Sequence, residues 1–207
     1  MHARIPPSTV DRLSVYLRGF AGLEADGAGT VSSNELAELS GFQPAQVRKD
    51  LAYFGSFGRR GVGYDVAELK AKIRSILGLD REWNCAVIGV GRLGQALLMY
   101  PGFRNQGFNV VAAFDSDPDK VGWEVEGVPV LDLERLTEAA AERKIEIAVL
   151  AVPAAAAQEV AERAVAAGIP SLLNFAPVVL RLPKGVLLRQ VDLAGELQAL
   201  SYRLRAQ

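Results

Sequence analysis

The sequence is poor in the features that mark secreted, membrane-spanning and metal-binding proteins. Its 207 residues include one cysteine, Cys85, and one histidine, His2. A single cysteine cannot build an internal disulfide framework, so Cys85, at the start of an apolar run, is interpreted as a small buried strand residue. No apolar run reaches the roughly 18 residues of a membrane-spanning helix, and residues 1–7 contain no signal-peptide hydrophobic region. We therefore expect a soluble, cytoplasmic protein without a metal site.

Charge of either sign is also nearly balanced across the chain. The formal net charge is −1, which by itself does not indicate a nucleic-acid partner. Half of the residues are hydrophobic, which is enough for a sizeable core. The length accommodates one large domain or two small ones.

The strongest motif that is present is a glycine-rich turn within residues 86–94. Gly89, Gly91 and Gly94 follow an apolar run and have the spacing of a dinucleotide fingerprint. In this interpretation Gly89 permits the tight turn, Gly91 lets backbone N–H groups approach a pyrophosphate, and Gly94 lets the next helix pack closely. The N-terminus of that helix supplies unpaired N–H groups for the phosphates.

An acidic residue follows the fingerprint at the expected distance. A second apolar run, residues 110–114, ends in Asp115, 24 residues after Gly91. A carboxylate about 20 residues beyond the fingerprint accepts hydrogen bonds from the adenosine ribose. Asp117 and Asp119 follow without any arginine, and this favours NAD(H) over NADP(H) because carboxylates repel a 2′-phosphate. The order of strand, turn, helix, strand and acid disfavours a glycine turn that binds no nucleotide.

Beyond residue 80 the hydrophobic pattern alternates between strands and helices, which predicts an α/β fold with a Rossmann-type, doubly wound parallel sheet. Later strands are predicted at residues 128–131, 145–152, 171–175 and 186–191, and helices at 132–143 and 153–168. Ligands bind beyond the carboxyl ends of such strands. This rule adds Val152, Pro153 and residues 174–177 to the predicted site.

The N-terminal part of the chain has the pattern of a winged helix-turn-helix domain. Helices are predicted at residues 8–23, 34–39, 44–54 and 66–77, the second behind a Ser32 capping box. The third helix would place Gln43, Gln46, Arg48 and Lys49 in or beside the major groove.

A predicted β-hairpin within residues 56–65 would form the wing, with Arg59 and Arg60 at its tip. These arginines could reach phosphates or a narrow minor groove. Residues 42–75 contain seven Lys and Arg against three acidic residues. Because this excess coincides with the predicted recognition helix and wing, it favours DNA binding over a merely solvated basic face.

The chain ends in a predicted helix with a narrow leucine stripe at Leu193, Leu197, Leu200 and Leu204. Such a stripe can cover the helix's own sheet or form a dimer seam. The predicted DNA-binding domain favours a dimer, since two-fold proteins read two half-sites. We place the domains at residues 1–79 (DNA binding), 80–191 (NAD(H) binding) and 192–207 (dimerisation helix).

Together these features resemble the Rex family of redox-sensing transcriptional repressors. The matching stretches are residues 46–55, 61–64, 89–94 with 100–103, 114–122 and 174–177. The resemblance implies a homodimer that binds a palindromic operator when NADH is scarce and is released by NADH, with NAD⁺ as a weak competitor. It also implies a terminal helix exchanged between subunits, and contacts through Arg18, Tyr100 and Asp192 that couple the domains.

The predicted site residues form two sets, and no catalytic residue is predicted. The nucleotide set is Gly89, Val90, Gly91, Arg92, Leu93, Gly94, Asp115, Ser116, Lys120, Val152, Pro153, Asn174, Phe175 and Ala176. The DNA set is Gln43, Gln46, Arg48, Lys49, Tyr53, Ser56, Arg59, Arg60 and Gly61.

Three other interpretations remain open. An NAD-dependent dehydrogenase would need a general acid or base near the nicotinamide. The only histidine is His2, Cys85 precedes the phosphate turn, and no Tyr-x-x-x-Lys pair stands in the nucleotide domain, although a lysine or aspartate could serve. A CoA-binding regulator is disfavoured by Asp115 and its acidic neighbours, because CoA carries a 3′-phosphate on that ribose. The intact glycines disfavour a regulator whose nucleotide domain only dimerises.

Overall fold

The computed structural model describes residues 5–25, 27–55, 58 and 63–205. Contacts between residues divide the chain into two compact units, Met1–Arg81 and Glu82–Gln207. The first unit contains α1 (Pro7–Ala25), α2 (Ser33–Ser40), α3 (Pro44–Ala52) and α4 (Val66–Ile76). In it, β1 (Thr30–Val31) pairs antiparallel with β2 (Tyr64–Asp65).

The turn between α2 and α3 is fixed by local capping. Ser32 Oγ accepts from the N–H of Glu35 at 3.1 Å, and Glu35 Oε2 accepts from the N–H of Ser32 at 2.7 Å, so the predicted capping box is confirmed. Helix α2 ends at Ser40 and is capped by Gly41, whose φ of 74° lies in the left-handed region that glycine adopts without strain. The two helices are thereby joined by a short, well-defined connection.

Helix α3 is shorter than the sequence predicts. It ends at Ala52, and Tyr53 and Phe54 form a turn rather than a final helical turn. The chain then passes through Gly55 at a φ of 117°, which lies outside the helical region. Val47 and Leu51 are buried, and Phe54 packs partly buried against the same core.

The predicted wing lies largely outside the described residues. Tyr64–Asp65 pairs with Thr30–Val31 in the described part of the chain. The hairpin residues named as DNA contacts are not among those the structure describes: Ser56, Arg59, Arg60 and Gly61. Their roles stay predictions.

The second unit is built on one mostly parallel sheet. Its strands are β3 (Trp83–Ile88), β4 (Phe108–Asp115), β5 (Glu124–Val125), β6 (Val128–Asp132), β7 (Ile147–Leu150), β8 (Ser171–Asn174) and β9 (Leu187–Gln190). Their spatial order is β5-β6-β4-β3-β7-β8-β9, with β5 antiparallel to β6 and the other pairs parallel. From β6 to β9 this is the 3-2-1-4-5-6 order of a dinucleotide-binding sheet, and the predicted fold class is confirmed.

Helices cover both faces of this sheet. They are α5 (Arg92–Leu98), α6 (Gly102–Asn105), α7 (Leu136–Glu142) and α8 (Ala154–Ala166). The last helix, α9 (Leu193–Arg205), is not one of them. Successive strand residues point to opposite faces. Ala86 and Ile88 of β3 join the core beneath α7 and α8, whereas Val87 joins the core that contains Leu98 of α5.

Several predicted boundaries are wrong by a few residues. The helix predicted over residues 132–143 starts as a 3₁₀ turn, Leu133–Arg135, because Asp132 Oδ1 accepts from the N–H of Glu134 at 2.9 Å and tightens the first turn. The strand predicted over residues 145–152 pairs only over Ile147–Leu150. The short helix α6 and the edge strand β5 are absent from the sequence-based prediction.

The terminal helix α9 buries none of its residues within its own chain. Leu193, Leu197, Leu200 and Leu204 are exposed by 62, 67, 56 and 72%. The leucine stripe is therefore not used to cover the sheet of the same chain. Within the described residues, no helix combines the length and apolarity required to cross a membrane.

Candidate nucleotide-binding and DNA-binding sites

The carboxyl ends of the strands in the second unit enclose a cavity of about 540 Å³. This volume falls within the range of small-molecule sites. It lies where the strand order reverses, between β3 and β7, which is where open α/β sheets bind ligands. The predicted nucleotide residues that line it are Gly89, Gly91, Arg92, Leu93, Asp115, Ser116, Lys120, Val152 and Pro153.

The three fingerprint glycines face three different constraints. A Cβ on Gly89 would lie 2.7 Å from the carbonyl oxygen of Ala151, and the φ of Gly89 is 96°. A Cβ on Gly94 would overlap the carbonyl oxygen of Gly89. A Cβ on Gly91 would meet no atom within 4 Å. Gly89 and Gly94 are therefore required by the turn itself, whereas Gly91 leaves open space beside the cavity.

Asp115, at the end of β4, organises the acidic side of the cavity. Its Oδ2 accepts from the N–H of Val90 at 2.7 Å and from Lys120 Nζ at 3.2 Å. Its Oδ1 accepts from the N–H of Asp117 at 2.9 Å. A carboxylate offers about four acceptor positions, so the three hydrogen bonds from described residues leave one position on Oδ1 open.

These hydrogen bonds also hold Asp115 ionised. Burial acts to raise its pKa, but the N–H groups of Asp117 and Val90 and the ammonium of Lys120 outweigh burial and lower the pKa below its ordinary value. Lys120 also lies 3.2 Å from Asp117 Oδ2, so one cation bridges two carboxylates. The acidic character that the sequence indicates here is therefore partly neutralised.

We expect Asp115→Asn to weaken nucleotide binding about tenfold and to destabilise the second unit by about 1–3 kcal/mol. An amide offers only one acceptor atom, and its NH₂ group would face donors that the carboxylate now accepts from. Titration calorimetry with NADH and urea unfolding measure the two effects.

The matched control for this prediction is Asp119→Asn. It removes the same charge from the same loop, where Asp119 is exposed. The NADH affinity and the free energy of unfolding of this variant should stay close to those of the wild type. Equal losses in the two variants would contradict a specific role for Asp115.

Some predicted nucleotide residues do not line the cavity. Val90 contributes its N–H to Asp115, and Gly94 is buried behind the turn. Asn174 is fully buried, donating to the carbonyl oxygen of Ala176 at 3.1 Å and accepting from its N–H at 3.0 Å. Asn174 thus shapes the segment that follows β8, and Phe175 is half-buried next to it. Direct contact of these residues with a nucleotide stays a prediction.

The cavity is also lined by residues outside the predicted nucleotide set. Asp117, Leu133, Ala156 and Val160 line it. Leu133 directly follows β6, so the rule that ligands bind beyond strand ends could have identified it. Ala156 and Val160 lie one turn apart on the inner face of α8, and no local motif distinguishes them.

In the first unit, α3 exposes the basic side chains predicted to contact DNA. Arg48 and Lys49 are exposed, and Arg48 Nη1 donates to Ser33 Oγ of α2 at 3.1 Å. Tyr53 is 41% exposed immediately after the helix. Gln43 is exposed at the start of α3 and its side chain makes no capping hydrogen bond.

Asp50 lies on the opposite side of α3 and is completely buried. Its carboxylate accepts from Arg12 Nε at 2.6 Å, Arg12 Nη2 at 2.7 Å and the Tyr16 hydroxyl at 2.8 Å. It also accepts from Gln46 Nε2 at 2.8 Å and from the Thr9 hydroxyl at 3.3 Å. We call these five side chains the Asp50 network. Gln46, predicted only as a DNA contact, is thus also part of the link between α3 and α1.

The three predicted coupling residues are exposed. Arg18 lies on α1. The ring of Tyr100 packs edge-on against Phe103 at 5.3 Å, and Asp192 Oδ1 accepts from the N–H of Gly195 in the first turn of α9. Their coupling role stays a prediction.

The fold and the two candidate sites define the class: a helix-turn-helix unit followed by a Rossmann-type unit with a nucleotide-sized cavity. Residues 4–52 match the family model described as putative DNA-binding protein N-terminus, and residues 80–178 match the model described as CoA binding domain. The chain is 49% identical over 201 residues to the redox-sensing transcriptional repressor Rex of Desulfitobacterium hafniense, covering 97% of this chain and 96% of that protein. It is 48% identical to the Rex of Streptomyces coelicolor, covering 96% and 77%. The chain belongs to the Rex family of redox-sensing transcriptional repressors.

Solved structures agree with this membership. A crystal structure of RSP in complex with β-NAD⁺ and operator DNA matches with a TM-score of 0.93 at 39% identity, covering 99% of this chain and 94% of that chain. RSP in complex with β-NADH matches with a TM-score of 0.89 at 37% identity, covering 99% and 96%. A further structure of RSP is described as a Rex-family repressor.

Proposed function

We propose that this chain represses transcription by binding a palindromic operator as a homodimer, and that NADH releases it from the DNA. The observation that supports this most directly is the cavity in which the fingerprint, Asp115 and Val152 meet, in a chain that also exposes a basic helix-turn-helix. The protein therefore reports the ratio of NADH to NAD⁺. Its place of action is the cytoplasm, where a transcriptional repressor meets DNA.

The nucleotide would lie across the carboxyl ends of the strands. The adenosine ribose would donate one hydroxyl to Asp115 Oδ1, and the pyrophosphate would lie over Gly91, where no protein atom fills the space. The nicotinamide would lie toward Val152, Pro153 and residues 175–177. The CoA-binding model matches the same α/β unit, but CoA would bring its 3′-phosphate toward Asp115 and Asp117, which favours NADH.

An apolar nicotinamide end accounts for redox discrimination. The ring of NAD⁺ is positively charged and that of NADH is neutral, and burying an unpaired charge is unfavourable. We therefore expect NADH to bind at least about tenfold more tightly than NAD⁺, a difference of about 1.4 kcal/mol.

On the DNA side, Arg48 and Lys49 of α3 would contact the duplex in each half-site. The exposed leucine stripe of α9 would pack against the partner subunit. A ligand shifts such an equilibrium only by its differential affinity for the two states, and couplings of about 1–3 kcal/mol change affinity about 5- to 150-fold. We expect saturating NADH to weaken operator binding by a factor in this range.

We assign no catalytic role to this chain. Cys85 is buried in β3, and burial, with a smaller effect of Glu146, raises the pKa of its thiol to about 12, so a thiolate nucleophile is not available there. The relatives are named as transcriptional repressors, which favours a regulator over a dehydrogenase.

The decisive test is a gel-shift experiment with the full chain and an operator selected from a random DNA pool. NADH should release the DNA, and an equal concentration of NAD⁺ should release far less. Arg48→Ala should weaken DNA binding and leave NADH binding, measured by calorimetry, unchanged. Operator occupancy that does not respond to saturating NADH, or equal affinities for NADH and NAD⁺, would contradict the proposal.

A further inference from the structure

We propose that Gln46 reads an adenine in each operator half-site, and that buried Asp50 holds its carboxamide in the one orientation this reading requires. The inference rests on the proposed function only in that α3 enters the major groove. It assigns a base preference to one side chain. Neither the matching family models nor the names of the relatives give such a preference.

The first step is the geometry of the Asp50 network. Arg12 uses Nε and Nη2 on the two oxygens of Asp50, and Tyr16 donates its hydroxyl, so the buried charge already has partners from α1. Gln46 adds a hydrogen bond from one turn earlier on α3 itself, with Nε2 2.8 Å from Asp50 Oδ1. Unlike Asp50, Gln46 is only half-buried, so its amide joins the protein interior to the surface of α3.

The second step is the direction of the amide. An ionised carboxylate can only accept hydrogen bonds, and an amide can only donate through its nitrogen. Burial acts to raise the pKa of Asp50, but the hydrogen bonds from Arg12, Tyr16 and Gln46 outweigh it and keep the pKa below its ordinary value. Gln46 therefore must turn Nε2 toward Asp50, and it presents its carbonyl oxygen and one remaining N–H outward.

The third step is the match to a base. In the major groove adenine presents the N6 amino group as a donor beside N7 as an acceptor, which complements one amide oxygen and one amide N–H. Guanine presents two acceptors and would face the amide oxygen with one of them. Thymine offers a methyl group and one acceptor, and cytosine one donor, so neither can form both bonds. A bidentate contact of this kind discriminates about 5- to 150-fold against the wrong base.

Gln43 provides a matched comparison within the same helix. It is also a glutamine near the start of α3, but it is exposed and makes no capping hydrogen bond. Within the part of the chain that the structure describes, no buried acceptor fixes which end of the Gln43 amide points outward. We therefore expect Gln43 to add affinity without a comparable base preference.

The experiment measures the full chain against operator variants that carry each base at every half-site position. The wild type should prefer adenine at one position by about 5- to 150-fold, and Gln46→Ala should abolish that preference while the preferences at other positions persist. Gln43→Ala should retain it. Lys49→Ala should weaken binding to all variants by a similar factor, as expected for a phosphate contact.

Asp50→Asn tests the positioning role. Its amide can accept or donate, so Gln46 is no longer held in one orientation and the adenine preference should fall at the same position. Partial unfolding lowers the affinity for every DNA by the same factor. The ratio of affinities for operators that differ in one base therefore reports only the change in base preference. If Gln46→Ala keeps every preference of the wild type, or Asp50→Asn keeps the adenine ratio, this inference is overturned. Failure of the wild type to select any operator would instead contradict the proposed function.

Discussion

Gly94→Ala is expected to abolish nucleotide binding and to destabilise the second unit by about 3 kcal/mol. The added methyl group would overlap the carbonyl oxygen of Gly89, which is a backbone atom within the fingerprint turn. The turn can relieve this overlap only by moving, and the movement would strain the hydrogen bond of 2.7 Å from the N–H of Gly89 to the carbonyl oxygen of Phe114. Urea unfolding monitored by circular dichroism and calorimetry with NADH would measure both losses.

Gly91→Ala is the matched control, because it makes the same chemical change three residues earlier. Its new Cβ would meet no atom within 4 Å, and its φ of −79° suits any residue. Stability should therefore change by less than about 0.5 kcal/mol, whereas nucleotide affinity should fall because the methyl group occupies the space proposed for the pyrophosphate. A Gly91→Ala variant that binds NADH as well as the wild type would place the phosphates elsewhere.

The second large effect is expected in the first unit. Asp50→Ala should destabilise it by about 3–5 kcal/mol, because removing one partner of a buried ion pair leaves the other partner uncompensated. The guanidinium of Arg12 and the buried hydroxyl of Tyr16 would both lose the acceptor that now lies within 2.8 Å of them. The measurement is the urea midpoint of the N-terminal unit within the full chain.

Asp65→Ala controls for the loss of an aspartate from this unit. Asp65 is exposed and accepts from the N–H of Glu68 at the start of α4, at 2.8 Å. Loss of such a cap costs about 1 kcal/mol. If Asp50→Ala proved no more destabilising than Asp65→Ala, the Asp50 network would not stabilise the packing of α3 on α1.

The same network predicts a dependence of stability on pH. Because the folded pKa of Asp50 lies below the ordinary value of 3.8, its contribution is fully present above that value and is lost as the pH falls through the folded pKa. The free energy of unfolding of the first unit should therefore decrease below about pH 4. Asp50→Asn should remove most of this decrease, leaving the part due to Glu35, whose pKa is lowered by its hydrogen bonds with Ser32.

The regular elements of the fold could be predicted from the sequence because their hydrophobic patterns are local. Edge strand β5 could not, because it contains only two residues and precedes a tight turn through Glu126 and Gly127, both with positive φ. Glutamate is an unusual residue in that conformation, so the turn lacks the Asn-Gly signal of a hairpin. An element as short as β5, whose position depends on a single turn, has no hydrophobic periodicity by which the sequence could reveal it.

The residues of the candidate site could be predicted from the sequence where their role depends on their spacing along the chain. The fingerprint glycines and Asp115 are of this kind: Gly89, Gly91 and Asp115 line one cavity, and Gly94 is buried behind the same turn. The Asp50 network is not, because Thr9 and Tyr16 precede Asp50 by 41 and 34 residues. The spacing of Gln46 and Asp50 places them on one face of α3, but nothing in the local sequence shows that this face turns inward onto α1.

The exposed helix α9 would make the proposed repressor sensitive to its own abundance. Thirteen residues that bury nothing in their own chain are about the length at which an isolated helix is marginal in water. If α9 packs against the partner subunit as proposed, mass action would govern how much of this helix is folded. At low protein concentration this helix would unfold first, and the proposed control by NADH would weaken with it.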